Sequence, residues 1–332
     1  MEQLVIKEKQ EGQRLDKYLG KYLKEAPKSF LYKMLRKKNI TLNGKKAQGM
    51  EILRAGDEIR LFLARETIEK FRGEELRGAR GNLDIVYEDE QVLFVNKPVG
   101  MLSQKAAKDD VSLVEYITGY LMEEETEQTF QGFRPGICNR LDRNTSGLVA
   151  AGKSIQGLQE LSRRFRERSM KKYYLALVKG RVDKPCHCKG FLAKDEKTNR
   201  VTISSVRKPD SQPIETKYRP LEVSGRGDTL LGVQLLTGRS HQIRAHLASM
   251  GHPVIGDWKY GEKKCNGYYR EKYGAETQLL HAWKLCFQKE EGCLQGLSGK
   301  TVTASPPELF LKVLGEEGFS EESWEENKGE RP

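Results

Sequence analysis

The chain has 332 residues, of which 37% are hydrophobic and 32% charged, and its formal net charge is +11. Such a length suggests two or three domains, and no apolar run approaches the roughly 20 residues of a membrane span. A basic excess of this kind favours an anionic partner, of which nucleic acid is the commonest large one. The opening Met1-Glu2-Gln3-Leu4 lacks a charged segment leading into an apolar one, so no secretion signal is expected. Six scattered cysteines suit reduced thiols in a cytoplasm.

In chain order, residues 13–63 read as a compact basic unit, with 13 Lys or Arg against 5 Asp or Glu. Leu15, Leu19 and Leu23 mark one face of a helix that Pro27 ends. Ser29 is placed to cap a second helix, Phe30 to Lys37, with Leu31, Met34 and Leu35 inward. Residues 39–45 predict a strand with an Asn-Gly turn, and residues 58–63 a second strand. Residues 64–82 are rich in charge and glycine, and read as a linker. Strands are then expected over 83–87 and 92–95, and a helix over 112–122.

The chain turns on the stretch Ile137 to Ser154, I-C-N-R-L-D-R-N-T-S-G-L-V-A-A-G-K-S. Its polar half predicts a loop around Asp142. Its apolar half, Leu148 to Ala151, predicts a short buried strand. Arg140 and Arg143 flank Asp142, and nearby positive charge favours an ionised carboxylate. A salt-bridged structural Asp in a turn is the plain alternative. Downstream, an amphipathic helix is expected over 155–168 and strands over 172–178 and 229–236. Thr237 to His246 reads as a turn entering a helix, and 279–287 as a late strand. Residues 315–332 hold seven Glu against Lys328 and Arg331, and are expected to be a disordered acidic tail. Strands and a few helices without regular βαβ alternation argue an α+β fold.

Three chemistries fit poorly. Gly147 to Ser154 spells G-x-x-x-x-G-K-S, but a phosphate-binding loop needs its strand before the first glycine, and here the apolar run lies between the two. Cys186-His187-Cys188 has no second ligand pair at zinc spacing, and His241 and His246 are five apart rather than four. No G-x-S-x-G elbow is present for a hydrolase.

Two resemblances account for the remaining motifs. The R-L-D-K-x-L opening, the Leu35-Arg36-Lys37 helix end, the Asn-Gly turn and the closing Gly56-Asp57 resemble the small RNA-binding domain named after ribosomal protein S-four. That likeness implies phosphate contacts from Arg14, Lys17, Lys33, Arg36, Lys37 and Lys38. Across roughly 83–305, N-K-P-x-G, R-L-D-x-x-T-S-G-L, K-x-Y-L-A-L-V-x-G, T-G-R-S-H-Q-I-R-A-H-L and L-H-A-W-x-L-x-F resemble the RluA-type pseudouridine synthases, in that family's order. The expected organisation is an RNA-binding domain over 1–66, a linker over 67–82, a mainly antiparallel catalytic domain over 83–314, and the tail.

The second resemblance implies isomerisation of uridine in RNA without metal or cofactor, with large-subunit ribosomal RNA the preferred target and a cytoplasmic monomer the expected form. By residue match Asp142 is the reacting carboxylate, as nucleophile or as base. Arg244 is its partner, and Tyr174 lies against the uracil. Arg140 enters the helix that the target leaves, and Asn139, Thr145, Arg239, His241 and Gln242 belong to the RNA and uracil pocket. Many members have His where this chain has Asn139. His241 and His246 are expected to orient the Arg244 loop. The rival readings are a catalytically inactive RNA-binding assembly factor, which would lack the Asp or the Tyr, and a metal-dependent RNA hydrolase.

Overall fold

The computed structural model describes residues 1–73, 78–124, 130 and 132–325. The first unit is a four-stranded antiparallel sheet in the order β1-β4-β2-β3 with two helices against it. Its elements are β1 (Glu2–Val5), α1 (Leu15–Tyr22), α2 (Lys28–Arg36), β2 (Ile40–Leu42), β3 (Lys45–Lys46) and β4 (Glu58–Leu61). Leu15, Leu19, Leu23, Leu31 and Leu35 are all buried. Each contributes on the order of 1.5–3 kcal/mol of apolar burial. Asn43 and Gly44 both have positive φ, 49° and 71°. That conformation fits a tight hairpin whose twist matches its strands.

Three local expectations change here. Helix α2 begins at Lys28 after Pro27, whose fixed φ suits a helix start, and Ser29 makes no cap. Part of the expected linker is helix α3 (Arg65–Arg72), which buries Ile68 in the first core and packs Phe71 on Phe30 at 4.8 Å between ring centroids. The linker reading weighed glycine and charge, and missed these two apolar anchors. Residues 74–77 lie outside the described residues.

The second unit is built on an eleven-stranded sheet. Its strands are β5 (Ile85–Glu88), β6 (Val92–Lys97), β7 (Gly136–Ile137), β8 (Ser146–Gly152), β9 (Lys171–Val178), β10 (Cys186–Asp195), β11 (Arg200–Ser204), β12 (Gln212–Val223), β13 (Thr229–Leu235), β14 (Leu280–Cys286) and β15 (Thr301–Thr303). The order is β11-β10-β12-β13-β9-β14-β8-β6-β5, with β15 beside β14 and β7 beside β8. Strands β8 and β14 pair in parallel, and the other pairs are antiparallel. The fold is therefore α+β with a mixed, mainly antiparallel sheet, as the sequence suggests. At the parallel seam Gly147 has φ +111°, and a Cβ there would stand 2.2 Å from the Ala282 carbonyl oxygen. Only glycine allows that approach.

Alternation along β9 splits the sheet into two faces. Tyr174, Ala176 and Val178 enter one core with Leu93, Val95 and Val149. Tyr173, Leu175 and Leu177 enter another with Trp283 and Tyr269. Helices α4 (Leu113–Glu124), α5 (Ile155–Glu167), α6 (Gln242–Ser249), α7 (Lys263–Tyr273) and α8 (Glu308–Glu316) surround the sheet. Ser154 caps α5, its Oγ accepting from Gly157 N at 2.9 Å. The stretch from Gly147 to Gly152 is strand throughout, not a phosphate-cradling loop.

The tail expectation is corrected for its described part. Helix α8 runs to Glu316, Phe319 is buried, and a short helix α9 (Glu322–Glu325) follows. Ser320 N donates to Glu222 of β12 at 2.8 Å. Leu314 and Phe319 are the apolar anchors that a reading of charge alone passes over. Among the described residues, no helix is long and apolar enough to cross a membrane.

Candidate active site

Asp142 lies in the loop between β7 and β8, and four side chains fix that loop. Asn139 donates to Leu148 O at 3.1 Å and accepts from Ala150 N at 2.8 Å. Ser103 Oγ donates to Leu141 O at 2.8 Å and accepts from Leu141 N at 3.0 Å. Thr145 is buried, its N donating to Asp142 O at 3.0 Å and its hydroxyl accepting from Gln278 at 3.2 Å. Lys97 is fully buried and donates to the carbonyls of Pro98, Met101 and Arg143 at 2.8, 2.9 and 3.0 Å. Burial lowers the Lys97 pKa to about 8, against an opposing pull from Asp142.

The flanking arginines turn away from Asp142. Arg140 is exposed and donates to Gln104 at 3.2 Å, while Arg143 donates to Gly100 O at 3.0 Å. The guanidinium on Asp142 comes instead from α6. Arg244 Nη1 donates to Asp142 Oδ2 at 2.9 Å. Its other edge is held by a second carboxylate, Nε to Asp257 Oδ2 at 2.6 Å and Nη2 to Asp257 Oδ1 at 2.9 Å. The Asp257 side chain is 1% exposed, that of Arg244 10% and that of Asp142 25%, so the chain of charges opens toward solvent only at Asp142. Burial opposes the Arg244 charge, but the Asp257 and Asp142 carboxylates outweigh it and raise its pKa.

The α6 entrance is similarly pinned. His241 sits in the left-handed region at φ +53° and its Nδ1 lies 2.9 Å from Tyr260 Oη. Burial lowers the His241 pKa. Tyr260 Oη accepts from Val201 N at 2.9 Å, which leaves its hydrogen free to point at His241. The Arg244 guanidinium stands 5.3 Å from the centre of the Tyr260 ring, within cation–π range. Gln242 accepts from Thr237 Oγ1 at 2.8 Å and Arg239 N at 3.1 Å, and donates to Glu215 O and Thr216 Oγ1. His246 Nδ1 lies 3.1 Å from Thr216 Oγ1.

One cleft of about 880 Å³ opens on this site. Asp142, Tyr174 and Arg244 face it together, as do Asn139, Arg140, Thr145, Arg239, His241 and Gln242. The roles divide by what each side chain already holds. Asn139, Thr145 and Gln242 spend their polar atoms on protein groups and position the loops. Arg140 and Arg239 are exposed, and with Arg143, Arg166, Arg168 and Lys172 they make a positive mouth. Tyr174 is almost buried; burial and then the Asp142 charge raise its pKa, so it rests as a phenol. Of the six N-terminal cations, Lys17, Lys33, Arg36, Lys37 and Lys38 are exposed, and Arg14 is tied to Asp16 at 3.0 and 2.9 Å. The positioning roles of Lys97, Ser103, Asp257 and Tyr260 escaped the sequence reading. Only Lys97, inside the N-K-P-x-G motif, carried a signal there.

Residues 91–249 match the family model described as RNA pseudouridylate synthase. The chain is 32% identical over 290 residues to ribosomal large subunit pseudouridine synthase C of Vibrio cholerae serotype O1, covering 85% of this chain and 87% of that protein. The chain belongs to the RNA pseudouridine synthase family. The Escherichia coli (strain K12) protein of the same name is 32% identical over 287 residues, covering 83% of this synthase and 85% of its relative. In fold, the human structure named RNA Pseudouridylate Synthase Domain Containing 4 superposes with a TM-score of 0.56 at 20% identity, covering 70% of this chain and 91% of that one. This synthase is therefore an isomerase acting on RNA.

Proposed function

We propose that this synthase converts uridines of large-subunit ribosomal RNA to pseudouridine, with Asp142 as the reacting carboxylate. The observation that carries the assignment is the Asp142–Arg244–Asp257 chain, whose first two members line a cationic cleft. The reaction breaks the glycosidic bond at ring nitrogen 1, turns the uracil and rejoins it at ring carbon 5, whose hydrogen leaves as a proton. One accessible carboxylate oxygen suits attack or proton abstraction, and Arg244 fixes its direction. Tyr174, a resting phenol, offers a flat wall for the uracil and a hydroxyl for relaying the leaving proton. Arg140, unburied and at the mouth, fits the base stack that the target leaves, because a planar cation stacks on bases and bonds phosphate.

The relatives' names support the choice of ribosomal RNA. The exposed cations on α1 and α2 support an RNA-binding role for the first unit, of the ribosomal-protein-S-four type, that gives affinity while the second unit gives turnover. A cytoplasmic monomer needing neither metal nor nucleotide completes the reading. The test is to map pseudouridines in ribosomal RNA from cells with and without the gene. Loss of defined large-subunit sites supports the proposal, and an unchanged ribosomal map with losses in transfer RNA refutes the target.

A further inference from the structure

Strand β9 carries a second polar group beside Tyr174. Lys172 lies two residues earlier, so both side chains leave the same face of the strand about 7 Å apart, and both line the Asp142 cleft. Lys172 is half-buried, and its Nζ stands 3.7 Å from the point where a Cβ on Gly238 would lie. The ammonium therefore rests against the turn that leads into α6. Burial, and then the nearby Arg168 charge, lower its pKa.

The side chains of Lys172 and Arg168 make no hydrogen bond or ion pair among the described residues. Among the described lining residues Asp142 is the one carboxylate, and Arg244 already holds it. Glu167, next to Arg168 in the chain, is bound to Arg163 at 2.9 Å. Two neighbouring cations without a counter-charge, one of them half-buried, are costly to keep together unless an anion joins them.

The backbone at Arg168 is an independent sign. Helix α5 ends there with φ +58° and ψ +32°, the left-handed conformation, and the Arg168 N–H closes the helix on Arg164 O. Glycine is the usual residue at such a helix end, because a Cβ disfavours that conformation. Here the position holds an arginine, exposed, whose side chain borders the cleft. Backbone strain of this kind clusters at ligand-binding sites.

We propose that Lys172 and Arg168 form a fork for one phosphodiester of the RNA strand, the one flanking the uridine that is extruded against Tyr174. The inference rests on the reading of this cleft as the uridine site. A base and its phosphate are separated by one ribose, and two side chains about 7 Å apart on a strand suit that span. Lys172 supplies a point charge from within the cleft, and the planar Arg168 guanidinium takes two phosphate oxygens from the mouth. The fork fixes the extruded nucleotide by its backbone and carries no base information.

The test uses the full chain in the Asp142→Asn background, where affinity is read without turnover. The probe is a fluorescently labelled short RNA with one uridine that the parent protein converts. Two further versions carry a neutral methylphosphonate in place of the phosphodiester on the 5′ or the 3′ side of that uridine. Lys172→Met should weaken binding of the unmodified RNA about tenfold and lower the slope of log affinity against log salt by about 0.7, the share of one single-strand phosphate. Lys172→Arg should retain most of the affinity. One of the two methylphosphonates should weaken the Lys172 protein about tenfold but the Lys172→Met variant less than twofold, because both changes remove the same contact. Arg168→Gly should weaken binding several-fold with a Tm at or above the parent's, since it relieves the left-handed backbone. Additive losses at both methylphosphonates overturn the proposal, as does a Lys172→Met variant with the parent's affinity and salt slope. A lowered Tm with parental affinity in Arg168→Gly overturns the Arg168 half, leaving that residue a helix end only. Parental binding by the Lys172 variants beside lost turnover in Asp142→Asn would strike the fork alone, so the two assignments fail separately.

Discussion

Asp257→Asn isolates the buried inner link of the charge chain without touching the proposed reacting carboxylate, Asp142. Asp257 is 1% exposed and takes two hydrogen bonds from Arg244, at 2.6 and 2.9 Å. It also accepts from the backbone N of Lys259 and Tyr260 at 2.9 and 3.1 Å. An Asn amide keeps one acceptor but turns an NH2 toward an Arg244 N–H, so one bond is lost and the rest lose their charge. Breaking a buried pair costs about 3–5 kcal/mol. The retained acceptor moves the expected loss to about 3 kcal/mol, read as a urea midpoint shift with unchanged slope. The effect on chemistry is separate. An Arg244 freed from Asp257 no longer presents Nη1 to Asp142 in a fixed direction, and a lost preorganised contact lowers turnover by about 10²–10³. The assay is single-turnover release of tritium from ring carbon 5 of uridine, at a temperature where the variant is folded, with RNA affinity measured in parallel. Turnover within threefold of the parent at saturating RNA would refute the reasoning and leave Asp257 a purely structural residue.

Other consequences are equally direct. Buried His281 donates from Nε2 to Ala304 O at 3.0 Å and so accepts from Ser146 Oγ at 2.9 Å, and burial lowers its pKa from 6.5 to about 4. Below pH 6.5 the unfolded chain gains a proton that the folded one refuses, so this group's stabilisation is lost as pH falls toward 4, by on the order of 3 kcal/mol. Urea titrations of parent and His281→Gln should converge over that range, and a pH-independent gap contradicts this. Gly147→Ala sets a Cβ 2.2 Å from the Ala282 carbonyl at a φ that disfavours it, and is expected to cost about 3 kcal/mol or more, seen as a lowered Tm. Removing residues 1–77 should flatten the salt dependence of binding to a large RNA while slow turnover of a short RNA persists at high concentration. Equal salt slopes would take the first unit out of RNA recognition.

Much of the centre was legible. The runs at 172–178 and 148–151 are strands, because short unbroken apolar stretches leave few alternatives. The loop around Asp142 follows from turn residues on both sides of it. The partner of Asp142 was legible only through motif resemblance. Composition pointed to adjacent Arg140 and Arg143, whereas the fold delivers Arg244 from a helix 102 residues further on. Asp257 had no local signature, since an isolated Asp in a turn looks alike whether or not a guanidinium reaches it. Strands β10 to β12 escaped because their exposed sides are dense in Lys, Glu and Arg, which masks the period of two. The tail misled for the converse reason: its glutamates hid Phe319, which is buried.

In the proposed mechanism the carboxylate of Asp142 carries the chemistry while RNA affinity comes from cations elsewhere. Asp142→Asn keeps a hydrogen-bond acceptor for Arg244 and removes only the negative charge. The decisive measurement is single-turnover pseudouridine formation by this variant at saturating RNA, with mass spectrometry verifying that the Asn has not deamidated. The expected result is no detectable product together with RNA affinity within a few-fold of the parent. Substantial turnover by the intact Asn variant would contradict it and move the reacting group to another residue of the cleft.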